Sequence, residues 1–161
     1  MKNENKDMTG KKAKVFCLPN QNNEKICLKD ILEDGKKVIL FFYPKDMTSG
    51  CTTEAAAFSE AKRKFTARGI KVFGVSKLGV ESKQKFVEKN NLKIDLLADE
   101  DLKVAEKYGV LQEKENRGKV TQTISRETFI IDTDRKILKH FTSVKPANHL
   151  DEIMEFLKNN K

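Results

Sequence analysis

Val38-Ile-Leu-Phe-Phe-Tyr43, followed at once by Pro44-Lys-Asp-Met-Thr48-Ser-Gly-Cys51 and Thr52-Thr-Glu-Ala-Ala-Ala-Phe-Ser59, decides the fold. An apolar run without alternation specifies a strand buried on both faces, and therefore a strand at the centre of a sheet. Pro44 and Gly50 mark a short turn after it. Ala57, Phe58, Ala61 and Phe65 recur at helical spacing, and the helix they define is predicted to stop at Arg68-Gly69. Cys51 falls in the first turn of that helix. A thiol there meets backbone N–H groups without intrahelical partners and the positive end of the helix dipole, which favours the thiolate. Thr48 can aim a hydroxyl at whatever approaches the sulfur, and Pro44 stiffens the turn that holds both.

Working outward, Ala13 to Leu18 and Lys25 to Leu28 read as a hairpin around Pro19-Asn-Gln-Asn-Asn23. Phe16, Leu18, Ile26 and Leu28 share its inner face, which leaves Cys17 and Cys27 outward and opposed if the turn is symmetric about Asn22. A helical turn at Asp30-Ile-Leu ends at Gly35. Strand Ile70 to Ser76, helix Val80 to Asn90 with Phe86 and Val87 inward, and strand Ile94 to Leu97 follow. Asp99 is the expected N-cap of a helix from Leu102 to Tyr108. Residues 112–122, polar and mixed in charge, read as a surface loop. A second hairpin is predicted over Glu127 to Asp132 and Lys136 to Thr142, and an amphipathic helix over Asn148 to Leu157 with Leu150, Ile153, Met154 and Leu157 inward. Strands alternating with helices and then a hairpin give an α/β fold with a central mixed sheet flanked by helices.

The chain has 161 residues and a net charge of +8. That length suits one domain over 10–161, with 1–9 as a flexible polar tail. The basic excess is spread evenly: ten Lys and Arg against seven Asp and Glu in residues 1–50, the same in 51–100, and twelve against ten in 101–161. An even spread of short basic runs suits a solvated surface, so nucleic-acid binding is not the expected function. With no signal-like start and no run of membrane-spanning length, the expected location is the cytoplasm, the nucleus also being compatible, with no membrane partner. Three cysteines without a C-x-x-C pair and two histidines offer no metal-ligand spacing, so neither a metal nor another cofactor is expected. In a reducing cytosol Cys17 and Cys27 are expected to be neighbouring free thiols. His140 is expected at the surface of the second hairpin, and His149 in a packing or capping role.

The Pro44-x-x-x-Thr48-x-x-Cys51 loop resembles the peroxide-reducing site of the peroxiredoxins. Phe42-Tyr-Pro-Lys-Asp46, Gly50-Cys-Thr-Thr-Glu-Ala55 and Ser125-Arg-Glu-Thr-Phe-Ile-Ile-Asp132 are similar to the bacterioferritin comigratory protein (PrxQ) branch. The resemblance runs from about Gly10 to the last helix. It implies a thioredoxin-like fold and a thiol-dependent peroxidase acting on hydrogen peroxide and organic hydroperoxides through a cysteine sulfenic acid. It also implies that Arg126 comes beside Cys51 to hold the thiolate and the peroxide oxygens, with Thr48 completing the cradle. Glu54 would orient the arginine, while Tyr43 and Pro44 would line the strand end and exclude water. Many relatives carry a resolving cysteine five residues after the first, where this chain has Ala56, and no cysteine follows Cys51. A one-cysteine enzyme is therefore expected, reduced by an external thiol such as glutathione or a thioredoxin-like protein, as a monomer or weak homodimer. The competing reading is a redox sensor, chaperone or nucleic-acid-associated module that keeps the fold and uses its basic surface.

Overall fold

The computed structural model describes residues 7–142 and 144–159. Its centre is β3 (Lys37–Phe42), paired in parallel with β4 (Ile70–Ser76) and antiparallel with β8 (Glu127–Ile131). β5 (Asp95–Ala98) and β9 (Ile137–Phe141) complete a five-stranded sheet of order β5-β4-β3-β8-β9. The unbroken apolar run explains the layering. Val38, Leu40 and Phe42 pack into one core cluster, while Ile39, Phe41 and Tyr43 pack into another on the opposite face. Gly74 on β4 is forced by that packing, because a Cβ there would lie 2.7 Å from the Phe41 ring.

The first face is covered by α1 (Leu28–Glu33), α5 (Lys103–Lys107) and the N-terminal hairpin, through Leu28, Leu32, Val104, Ala105 and Phe16. The second is covered by α2 (Ser49–Glu60), α3 (Lys62–Ala67), α4 (Val80–Asn90) and α6 (His149–Asn159), through Ala55, Phe58, Phe65, Phe86, Ile153 and Leu157. The helix expected to run unbroken to Arg68 divides at Ala61, whose ψ of 4° tightens the turn between α2 and α3. Asp99 does cap α5, accepting from the N–H groups of Val104 and Ala105, although the residue at the cap position is Leu102.

Residues 112–122 are not a loop. They belong to a two-stranded ribbon, β6 (Leu111–Asn116) and β7 (Lys119–Ile124), turned by Arg117 and Gly118 at φ of 55° and 81°. Paired left-handed residues make the tight hairpin turn whose twist suits the flanking strands. His140 is likewise not at the surface. It stacks on Phe129 with centroids 4.1 Å apart and bonds Glu127 at 2.7 Å, while its Nδ1 accepts from the Met8 N–H. The cause is chain preceding the first strand. Residues 10–13 hydrogen-bond along β9, so this edge of the sheet is covered rather than open. Of the expected flexible tail, residues 1–6 lie outside the described residues, whereas Met8 and Thr9 are both tied to His140.

The N-terminal hairpin forms as its turn chemistry dictates, with β1 (Cys17–Pro19) against β2 (Lys25–Cys27) in a register that sets Cys17 opposite Cys27. The expectation of free thiols is overturned: the two form a disulfide, with Cα atoms 4.0 Å apart. Directly opposed residues of an antiparallel pair are close enough to bridge without backbone movement. The hairpin also covers the β5 edge, where Gln21 accepts from the Leu96 N–H and donates to Asp95. Closing a loop with a sequence separation of 10 restricts the unfolded chain by about 3 kcal/mol. Thermal unfolding of Cys17→Ser/Cys27→Ser should therefore show a Tm lower by roughly 5 to 10 °C. An unchanged Tm would show that the bridge does not stabilise the fold.

Candidate active site

The turn after β3 sets the site at the carboxyl end of the central strand. Thr48 occupies the N-cap position of α2 with extended backbone, and its carbonyl accepts the first helical bond from the Thr52 N–H at 2.8 Å. Ser49, Gly50 and Cys51 are the first three residues of the helix, so their N–H groups have no partner within it. Cys51 is buried to 1 % exposure on the face of the sheet that carries Tyr43 and Phe58. It is the only free cysteine.

Arg126 comes from the residue just before β8, the neighbour of β3, and its Nη1 donates to Glu54 Oε1 at 2.9 Å. The Cys51 sulfur bears on the guanidinium electrostatically. Burial opposes its charge, but the sulfur and the Glu54 carboxylate together outweigh that and hold it more firmly cationic than usual. Gly50 eases the approach. A Cβ at that position would lie 3.2 Å from Arg126 Nη2, which places the arginine over the helix N-terminus.

Glu54 is 1 % exposed, and its second oxygen, Oε2, has no hydrogen-bond partner. Burial raises its pKa to about 7 against the opposing effect of Arg126. Between pH 4.5 and 7 the folded protein therefore holds a proton here that the unfolded chain has released, so stability is greatest below 4.5 and falls as pH rises through 7. The fall amounts to about 3 kcal/mol. Urea unfolding at pH 5 and pH 8 should show this decline in the wild type and its absence in Glu54→Gln. Parallel slopes in the two proteins would refute it.

Thr48 is exposed, and its hydroxyl donates to the Lys45 carbonyl at 3.1 Å. Its hydrogen is thus used within the turn, and its oxygen is left to accept. Pro44 is half-buried at the start of the turn. Tyr43 is fully buried in the same core cluster as Cys51, and its hydroxyl donates to Asp46 at 2.6 Å. His149 is buried, with Nε2 2.7 Å from Thr128 Oγ1 and Nδ1 3.1 Å from Glu152, edge-on to Phe58 and Phe141. That is a packing role.

Sequence reasoning missed Asp46 and Lys83, a buried ion pair below the turn. The readable signal was Lys83 itself, which stands on the inward stripe of α4 with Val80, Phe86 and Val87.

Residues 9–140 match the AhpC/TSA family. The chain belongs to that family. It is 42 % identical over 145 residues to a putative peroxiredoxin bcp of Coxiella burnetii, covering 90 % of this chain and 95 % of the relative. The crystal structure of peroxidoxin BcpB from Mycobacterium tuberculosis superposes with a TM-score of 0.85 at 34 % identity, covering 96 % of this chain and 98 % of the other. A yeast mitochondrial 1-Cys peroxiredoxin, described as having its thiol resolved via glutathione/thioredoxin systems, matches with a TM-score of 0.79 at 26 % identity, over 93 % of this chain and 74 % of that one. The protein is thus a peroxiredoxin of the Bcp (PrxQ) branch with a thioredoxin-like α/β fold, an oxidoreductase that reduces peroxides at the expense of thiols. The non-catalytic reading is not favoured.

Proposed function

We propose that Cys51 is the peroxidatic thiolate and that the enzyme works with this one cysteine. The sulfur attacks the nearer peroxide oxygen, the O–O bond breaks, and the far oxygen leaves as hydroxide or alkoxide that takes up a proton; Cys51 becomes a sulfenic acid. Negative charge passes from sulfur to the leaving oxygen, so one cation able to touch both stabilises the whole path. The observation that carries this reading is Arg126, which is anchored on Glu54 at 2.9 Å and faces both Gly50 and the Cys51 sulfur. Thr48 Oγ, having spent its hydrogen on Lys45, accepts from the peroxide O–H and fixes which oxygen faces the sulfur. The N–H groups at the start of α2 complete the cradle, and Pro44 and the packed Tyr43 ring keep the turn firm and dry.

Resolution by an external thiol is supported by where the other sulfurs lie. Cys17 and Cys27 are bonded to each other on a hairpin that packs through Phe16 and Leu28 into one core cluster, while Cys51 belongs to the cluster on the opposite face of the sheet. The sheet stands between them. Ala56 on α2 provides no alternative. One thiol condenses with the sulfenic acid to a mixed disulfide and water, and a second displaces Cys51 as thiolate. Glutathione or a thioredoxin-like protein in the cytoplasm fits this chemistry, with the enzyme acting as monomer or weak homodimer.

Mass spectrometry after one equivalent of peroxide should find a single added oxygen on Cys51, or an adduct of an added thiol. Excess peroxide should add a second oxygen. A stoichiometric disulfide from Cys51 to Cys17 or Cys27 would overturn the one-cysteine scheme.

A further inference from the structure

Below the 44–48 turn lies a polar cluster that the peroxide chemistry does not use. The side chains of Asp46 and Lys83 are both fully buried. Lys83 Nζ stands 3.3 Å from Asp46 Oδ2, donates to Ser76 Oγ at 2.6 Å, and lies 5.5 Å from the centroid of the Tyr43 ring. Asp46 in turn accepts from Tyr43 at 2.6 Å, Ser82 at 2.7 Å and Ser76 at 3.3 Å. The ends of β3 and β4 and the first turn of α4 thus converge on one carboxylate, which belongs to the turn itself.

We propose that Asp46, with Lys83 as its counterion, is a positioning residue for peroxide reduction: the pair pins the turn from below and so holds Thr48 and the N-terminus of α2 in register with Arg126. The proposal rests on the reading of Cys51 as the peroxidatic thiolate. Its second support is Met47. This residue has φ of 70°, in the left-handed region, and its side chain is 44 % exposed. A residue with a side chain keeps such a conformation only where its surroundings fix it. The exposed Met47 side chain gives no such hold, so the hold comes through the backbone on either side. Thr48 follows as the cap of α2, and Asp46 precedes as the anchored residue. The reversal at Met47 is what takes the chain from the buried carboxylate out to Thr48. Released from Asp46, a methionine there relaxes out of the left-handed region, and the Thr48 oxygen moves with it.

A buried ion pair is a poor device for stability alone, since apolar residues of the same shape do as well, but breaking one side of it leaves a charge buried and unpaired. Single and double replacements therefore differ in a telling way. The rate of Cys51 oxidation by hydrogen peroxide should fall on the order of 10²-fold in Asp46→Asn, the scale of misplacing a group by about 1 Å. Alkylation of Cys51 by iodoacetamide, which needs the thiolate but not the Thr48 oxygen, should fall clearly less than peroxide oxidation does. Adding Met47→Gly to Asp46→Asn should restore much of the peroxide rate, because glycine takes the left-handed conformation without being held there. Lys83→Met should be less stable than Asp46→Asn/Lys83→Met, and the double variant provides the folded protein should Lys83→Met fail to fold. A wild-type peroxide rate in folded Asp46→Asn overturns the proposal. So does a loss shared equally by peroxide and iodoacetamide, or one that Met47→Gly leaves untouched. Cys51→Ser tests the underlying reading separately, since persistent peroxide consumption in that variant refutes the assignment of Cys51 whatever Asp46 does.

Discussion

Cys51→Ser should abolish thiol-dependent peroxide consumption, while Cys17→Ser/Cys27→Ser should retain most of it when assayed below the melting temperature of the variant. The expectation follows from position rather than from the presence of sulfur. Cys51 alone has the free N–H groups of a helix start above it and a guanidinium at its side. Serine in its place keeps the size and the hydrogen bonds but is far too weakly acidic to supply an anion, so the loss should reach the background rate. The hairpin sulfurs are bonded to each other and lie across the sheet. Peroxide consumption coupled to dithiothreitol measures both variants. Comparable loss in the hairpin variant at a temperature where it is folded would mean that those cysteines take part in turnover.

Much of this arrangement was legible because burial writes a period into the chain. The strand Ile70–Ser76 and the helix Val80–Asn90 appear with the bounds their patterns suggest, and the run 38–43 is central because no residue in it can face water. The symmetric turn about Asn22 gave the register that sets Cys17 against Cys27, but whether neighbouring thiols bond is not written in periodicity. The β6–β7 ribbon was illegible for the complementary reason. It lacks an apolar face along most of its length, so no alternation marks it, and only Arg117-Gly118 hints at the turn. His140 was misplaced because its covering comes from residues near the chain start, 131 and 132 positions away. Around the site, Cys51, Glu54 and Arg126 stand in motifs that can be read along the chain, whereas Asp46 draws its partners, Tyr43 apart, from 30, 36 and 37 residues downstream. A carboxylate in a turn reads as solvent-facing until the fold shows what lies beneath it.

Arg126→Lys should cost on the order of 1 to 3 kcal/mol of barrier, tenfold in rate for each 1.4 or so, although the charge is kept. The reason is geometric. Arg126 uses Nη1 on Glu54 and presents Nη2 toward Gly50, so in the proposed mechanism the planar fork serves an anchor and the Cys51 sulfur at once. Lysine offers a single ammonium on a flexible stem, and in this pocket it must choose. Glu54, buried with one oxygen already unpartnered, competes for that ammonium. Drawn to Glu54, the cation leaves the leaving oxygen without its donor; drawn to the sulfur, it leaves Glu54 wholly unpaired, and the fold loses stability by about 1 to 3 kcal/mol. Arg126→Met removes the choice and should lose both rate and stability, with the stability loss largely recovered in Arg126→Met/Glu54→Gln, where no buried carboxylate needs a partner. Stopped-flow oxidation of Cys51 gives the rate, and urea unfolding at pH 8 gives the stability. A wild-type rate in Arg126→Lys would show that positive charge alone is enough and that the fork does not bridge Glu54 to the reacting sulfur in the transition state.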